Sequence, residues 1–340
     1  MRFLRMTAIC FAIALLLLSL PACNSKQEGK VSDFEQSESG VPNDELFVLR
    51  FRQKWHPQAQ FAGIYMAIDK GFYAQYGIDL RLQPHAADSL VFRTLYNKNT
   101  DIVQMDLISG IMENKDGLRV VNIGQVSQNS SQLLIGKKNR GINSIADFNG
   151  KKIGLWCSGS HYISRIFLAK EKLDMEIVPV NWSINLFTSN AIDVTNAMRF
   201  NEYNQLLQAG LKEEDLFVAD LSALGYNIPD DGFYVSNDFY NEHKDICKRF
   251  MAATMDGWHY AFAHPEEALD LVLRLMRKNN IPANRSHQSW MLNEMKMLIL
   301  VPDKTPGRLT KADYLRAVSL LQEFYQPVKA YPFEEFCPND

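Results

Sequence analysis

The spacing of apolar residues switches between two and three-to-four along this chain, and each switch marks an element. Leu46 to Leu49 with Phe51 is a short apolar run that predicts a strand. Trp55, His56 and Pro57 then turn the chain, because proline cannot donate to a ladder and steers its predecessor away from helix. From Gln58 onward Phe61, Ile64, Tyr65 and Ile68 fall three and four apart. That spacing predicts a helix, broken near Gly71 and followed by a strand over Ile78 to Leu82.

The same alternation continues. Leu90, Val91, Leu95 and Tyr96 predict a helix, Ile102 to Met105 a strand ending at Asp106, Leu107 to Met112 a helix and Val120 to Ile123 a buried strand. Leu133 to Ile135 predicts a strand that crosses into a second lobe. Ser144, with Asp147 three residues on, caps a short helix, and Lys152 to Trp156 is the next buried strand. Ile163, Ile166, Phe167 and Leu168 mark a helix, Val194 to Met198 a strand, and Phe233 to Val235 a strand returning to the first lobe. A helix from Asn237 and helical stretches at Ile246 to Ala263, Pro265 to Lys278, Trp290 to Leu298 and Ala312 to Phe324 follow, with spacing that suits packing on one lobe. Trp258 and Trp290 are expected in the core.

Strands alternating with helices make an α/β protein with mainly parallel sheets. Sheets of this kind bind ligands beyond the carboxyl ends of their strands, where helix starts present unpaired amides. This places Trp55, Gln58, Gln60, Phe61 and Asp106 at one side of a cleft and Trp156, Ser158, Ser160, Asn201, Glu202 and Tyr203 at the other. The plainer alternatives are that Trp55 and Phe61 are core aromatics and that Glu202 caps its own helix. His161 has no paired nucleophile, and no phosphate loop of the GxxxxGK[ST] kind is present.

Arg2 and Arg5 before an apolar stretch from Ala8 to Leu20, with Leu20, Pro21, Ala22 and Cys23 after it, read as a secretion signal over residues 1–22 and a lipid-bearing cysteine. That stretch is too short for a permanent span. Residues 23–45 are polar and read as a flexible tether from the membrane. The formal charge of −3 becomes −5 once the two leader arginines are gone, which argues against nucleic acid as a partner. The hydrophobic content of 46% supports a sizeable core. The remaining cysteines, Cys157, Cys247 and Cys337, lack metal or redox spacing; they leave room for one disulfide without choosing the pair. No cofactor is expected.

Three blocks carry a resemblance. The first contains Trp55, Pro57, Gln58, Gln60, Gly63, Ala67, Gly71, Phe72, Tyr73 and Gly77. The second runs from Gly124 to Trp156, with Gln125, Gln128, Asp147, Phe148, Gly150, Lys151 and Lys152. The third spans Ile192 to Gly210, with Phe200 where a tyrosine is usual, and Asp230, Asp231 and Gly232 follow before a strand. In combination these resemble the thiamine-pyrimidine-precursor and sulfonate-type binding proteins of ABC importers, over about residues 46 to 275.

The resemblance implies a two-lobed periplasmic-binding-protein type II fold. Residues 46–131 with 236–340 would form one lobe and 132–235 the other, hinged near Leu134 and Phe233. It implies a monomeric, lipid-anchored receptor in the cell envelope that delivers a small molecule to permease subunits. The ligand would be a thiamine pyrimidine precursor, with sulfonate, nitrate or flavin as the alternatives. Trp55, Trp156 and Glu202 would converge on a flat nitrogenous ring. The family also holds the yeast pyrimidine phosphate synthase. Its lysine and histidine fall at Met105 and Ser109 here, and the stretch before Asp231 has no cysteine, so no catalytic residue is expected.

Overall fold

The computed structural model describes residues 46–83, 85, 91–114, 118–157, 161–181, 183–325 and 327–338. The expected leader, lipidated Cys23, Leu90, Ser158 and Ser160 lie outside the described residues, as does the His161 side chain. The described residues belong to one compact unit.

Ten strands run in chain order: β1 Phe47–Arg52, β2 Ile78–Gln83, β3 Ile102–Met105, β4 Val120–Gln125, β5 Gln132–Lys137, β6 Lys152–Trp156, β7 Glu176–Val180, β8 Val194–Met198, β9 Leu216–Asp220 and β10 Gly232–Ser236. They form two five-stranded sheets, ordered β2-β1-β3-β10-β4 and β7-β6-β8-β5-β9. In the first sheet β10 is antiparallel to both neighbours, and in the second β5 is. The other pairings, β1 with β2 and β3 and β6 with β7 and β8, are parallel. Each sheet is therefore mainly parallel, with one reversed strand beside its centre, supplied where the chain arrives from the other sheet.

β7 and β9 escaped the periodicity reading. Both are outermost in their sheet, and β7 has only Val180 buried and carries Pro179, which lacks a ladder donor. Edge strands need little apolar alternation.

The two chain crossings, residues 126–131 and 221–231, run side by side. Val126 N donates to Asp231 O at 2.7 Å, Ser131 N donates to the Asp230 carboxylate at 3.0 Å, and Ser130 N donates to Asn227 Oδ1 at 2.8 Å.

The expected helices form, several with longer ends. Gly71 breaks the first as expected, at φ 69°, a left-handed conformation that glycine enters without a Cβ clash. The Ala62–Asp69 helix packs on the Lys244–Ala263 helix with the fully buried Trp258 in the join. A Cβ on Gly257 would lie 2.1 Å from Gly63 O, so this contact needs a hydrogen at that position. Cys157, Cys247 and Cys337 form no disulfide with one another. Among the described residues no helix is long and apolar enough to cross a membrane.

One expectation about the helices is corrected. The Arg285–Ile299 helix does not pack on one lobe alone: it touches both the Ala59–Phe61 turn and the Arg199–Tyr203 turn. Trp290, expected in the core, is only half buried, and its Nε1 donates to Arg199 O at 3.0 Å. An indole N–H at a buried edge takes a polar partner, and this one lies on the facing turn.

Candidate functional site

After β1 the chain turns through residues 53–58 into a tight turn, Ala59–Phe61, that continues as the Ala62–Asp69 helix. The turn is organised by a carboxylate with no exposure, Asp231. Lys54 Nζ lies 2.7 Å from its Oδ1, and Ser127 Oγ donates to its Oδ2 at 3.1 Å. Gln60 Nε2 donates to both oxygens, at 3.1 and 3.2 Å, and Gln58 Nε2 donates to Gln60 Oε1 at 2.7 Å.

Two further acids stand near. Asp106 caps the Leu107–Met112 helix, accepting from Ser109 N at 2.9 Å and from Ser109 Oγ at 2.8 Å. Burial pushes the Asp230 carboxyl up to about 7, with Lys54 opposing and Asp231 adding to the rise. Burial alone would depress the Lys54 ammonium, but Asp231, Asp230 and Asp106 outweigh it and its pKa is raised. A buried charge needs such a partner to persist.

The second turn follows β8. Residues Arg199–Tyr203 form a wide helical turn leading into the Asn204–Gln208 helix. Glu202, 5% exposed, accepts from Met198 N at 2.9 Å and from Asn201 Nδ2 at 2.8 Å. Burial pushes its carboxyl up to about 7 against these hydrogen bonds, with no charged side chain contributing. The Arg199 guanidinium is paired with Asp220 instead, at 2.8 Å.

One helix holds both turns. Along Arg285–Ile299, Gln288 Oε1 accepts from Ala59 N at 2.7 Å and Met291 Sδ accepts from Gln60 N at 3.3 Å. Next to Gln288 and one turn before Met291, His287 places Nε2 3.0 Å from Asn201 Oδ1 and Nδ1 2.9 Å from Asn204 Oδ1.

Rings gather beside the first turn. Trp55, His56 and His85 lie with centroids 5.8, 5.6 and 4.7 Å apart. His56, Gln53, Tyr65, Gln83, His85 and Asn279 border a cavity of about 210 Å³. Burial lowers both imidazoles, and His56 and Arg52 help bring His85 to about 4, so at neutral pH the cavity meets uncharged rings.

The expected residues thus divide. Gln58, Gln60, Asn201 and Glu202 are buried in hydrogen-bond networks. Trp55 and Trp156 are half buried against the same hydrophobic core. Tyr203 is buried, its ring 6.4 Å from Trp290.

Phe61 and Asp106 have structural roles of their own. Phe61 is fully enclosed, its ring 6.2 Å from Tyr65, and packs as core instead of facing an open surface, because its helical spacing puts it on the apolar face. Asp106 spends its carboxylate on capping. The sequence reading missed Lys54, Asp231 as a charge, His287 and Gln288. His287 did leave a signal: with Met291, Met295 and Leu298 it falls on one helical stripe, so a polar ring stands where an apolar residue belongs.

Three relatives align over much of the chain. A Haemophilus influenzae protein named for thiamine biosynthesis is 27% identical over 225 residues, 63% of this chain and 69% of its own. Riboflavin-binding protein RibY of Chloroflexus aurantiacus is 24% identical, covering 65% of this chain and 64% of its own length, just under two thirds. Formylaminopyrimidine-binding protein of Halalkalibacterium halodurans is 22% identical over 300 residues, 80% of this chain and 81% of that one.

In fold, the chain is similar to the periplasmic aliphatic sulphonate binding protein SsuA of Escherichia coli. The TM-score is 0.64 at 14% identity, over 81% of this chain and 87% of that one. The two mixed sheets are thus those of a periplasmic binding protein. The model of the NMT1/THI5 like family matches residues 58–268, more than half of the chain, and the chain belongs to that family.

Proposed function

We propose that this protein is the solute-binding component of an ABC importer. Residues 46–131 with 236–340 and residues 132–235 close as two lobes around a thiamine pyrimidine precursor such as formylaminopyrimidine or hydroxymethylpyrimidine. The crossings at residues 126–131 and 221–231 supply the hinge.

The observation that carries this reading is Glu202, a buried carboxylate that hydrogen bonds hold but no cation faces. An aminopyrimidine edge offers paired donors to such an acceptor, and a charge-assisted bond there is stronger than a neutral one. Trp55 and Trp156 supply rings on which a flat heterocycle stacks. A sulfonate would instead be repelled by Glu202. The names of two relatives support ligands of the same flat, nitrogen-rich kind.

A catalytic role like that of the yeast synthase is disfavoured by the residues themselves. Met105 has no amine, Ser109 is bonded to Asp106, and the stretch before Asp231 has no cysteine. Lipid attachment through Cys23 and delivery to permease subunits complete the reading, with a monomer as the working form.

Titration of intrinsic tryptophan fluorescence tests the ligand. Saturable quenching by aminopyrimidines and none by taurine is expected; saturation by taurine alone overturns the assignment, and riboflavin alone redirects it to a flavin.

A further inference from the structure

The geometry points to His287 as the positioning residue for Glu202: its ring fixes the Asn201 amide so that the amide oxygen faces the imidazole and the amide nitrogen faces the carboxylate. The inference rests on the proposed role of Glu202 as the ligand's acceptor, but its mechanism is internal to the protein.

Asn201 Oδ1 accepts from Gln205 Nε2 at 2.9 Å and stands 3.0 Å from His287 Nε2, which meets an oxygen that can only accept. A carbonyl oxygen has two lone pairs, so both are used. The amide nitrogen is then left to donate to Glu202 Oε1 at 2.8 Å. Above its midpoint of about 7 the carboxylate is ionised and only accepts, so there turning the amide over would set oxygen against oxygen and nitrogen against the Gln205 donor. Nε2 of His287 must therefore carry a hydrogen. Burial lowers the His287 pKa, so the ring is neutral; Nδ1 stands 2.9 Å from Asn204 Oδ1, and with the proton on Nε2 the Asn204 amide has to turn over to offer its nitrogen to the bare Nδ1. The result is one directed series, Asn204 to His287 to Asn201 to Glu202.

His287 is well placed for this. Its side chain is 7% exposed, its own N–H is bonded to Asn284 Oδ1 at 3.0 Å, and Gln288 and Met291 beside it bind the first turn. The ring that orients Glu202 thus sits on the element that also fixes Gln60. The other charged or titratable groups around the turn are engaged elsewhere. Arg199 pairs with Asp220, and Arg285 pairs with Glu266 and Asp270. Glu294 is raised by burial and pulled back by Arg199, and the Tyr203 hydroxyl is raised by burial and by Glu213.

The test uses the ligand-free protein with ¹³C-labelled glutamate carboxyls, the Glu202 signal assigned with Glu202→Gln, and a parallel affinity series with formylaminopyrimidine. Asparagine copies the Nδ1 side of a histidine and glutamine the Nε2 side. His287→Asn, which loses the donor to Asn201, is expected to raise the Glu202 midpoint, because a bond favouring the charged form is weakened. It is also expected to weaken pyrimidine binding roughly tenfold, about one charge-assisted hydrogen bond. His287→Gln restores most of both.

An unchanged Glu202 midpoint in folded His287→Asn overturns the positioning role. Should that variant fail to fold, ¹⁵N shifts of His287 in the unaltered protein decide: a protonated Nε2 with bare Nδ1 supports the role, and the opposite tautomer overturns it. A midpoint that moves in a protein that binds no pyrimidine leaves the positioning intact and sinks only the ligand.

Discussion

Two turns at the ends of strands, 53–61 after β1 and 199–204 after β8, are gripped by the same helix and solve one problem in opposite ways. Each meets a carboxylate with almost no access to water: Asp231, brought to the first turn by the 221–231 crossing, and Glu202, on the second turn itself. The first gives Asp231 a lysine, a serine and a glutamine, so its charge is answered from within the chain. The second gives Glu202 a backbone N–H and one amide, and no cation. A carboxylate already neutralised is part of the scaffold, whereas one desolvated without a counter-charge remains available to a ligand that brings donors. The difference separates architecture from recognition better than burial does, since both acids are buried.

The sharpest way to break the contrast is to remove the first turn's answer. Lys54→Met leaves Asp231, Asp230 and Asp106 facing one another without a cation. Orphaning a buried pair in this way costs about 3–5 kcal/mol. Chemical denaturation is expected to show a loss of this size at neutral pH, and a loss below about 1 kcal/mol would mean that Asp231 is held by Gln60 and Ser127 alone.

A smaller effect sharpens it by pH. Glu202 and Asp230 both have folded pKa values near 7, raised above their unfolded values of about 4. A raised folded pKa means that the folded state binds protons more tightly, so its stabilising share is complete below about pH 4 and is lost as pH rises through 7. Wild-type stability should therefore fall across that window. Glu202→Gln and Asp230→Asn should each remove part of the fall, so that each variant gains on wild type between pH 5 and 7.5. Parallel curves for all three proteins would show that neither acid is protonated near neutrality.

Much of the frame was legible because burial imposes period. The inner strands β3, β8 and β10 are buried along almost their whole length, β1 alternates buried and partly exposed positions, and the long helices carry stripes. Of the four edge strands, β2 and β4 were legible from their apolar residues, whereas β7, with Pro179, and β9, with its mixed burial, were not. The site was legible only in part. Asn201 and Glu202 announce themselves as polar residues closing an apolar strand. Lys54 and Asp231 do not, because they lie 177 positions apart in the chain and their pairing exists only once β10 enters beside β3. Phe61 is ambiguous in sequence because an aromatic at a helix start looks the same whether it faces a cleft or the core.

The contact between Trp290 and the second turn offers the mildest test, and one that touches neither acid. Its Nε1 donates to Arg199 O, while its ring lies beside Tyr203 and against the core of the second sheet. Trp290→Phe keeps most of the apolar surface and removes the donor. The Arg199 carbonyl then loses its indole partner at a half-buried position, a cost of about 1 kcal/mol. Thermal unfolding should show a correspondingly small drop. If the helix merely leans on the turn, that drop is all that follows. If it holds the turn in register, the Glu202 signal should also broaden or shift, because Arg199 lies one residue beyond Met198, whose N–H holds that carboxylate. A change in stability without any change at Glu202 would confine the helix's influence to His287 and leave Trp290 as packing.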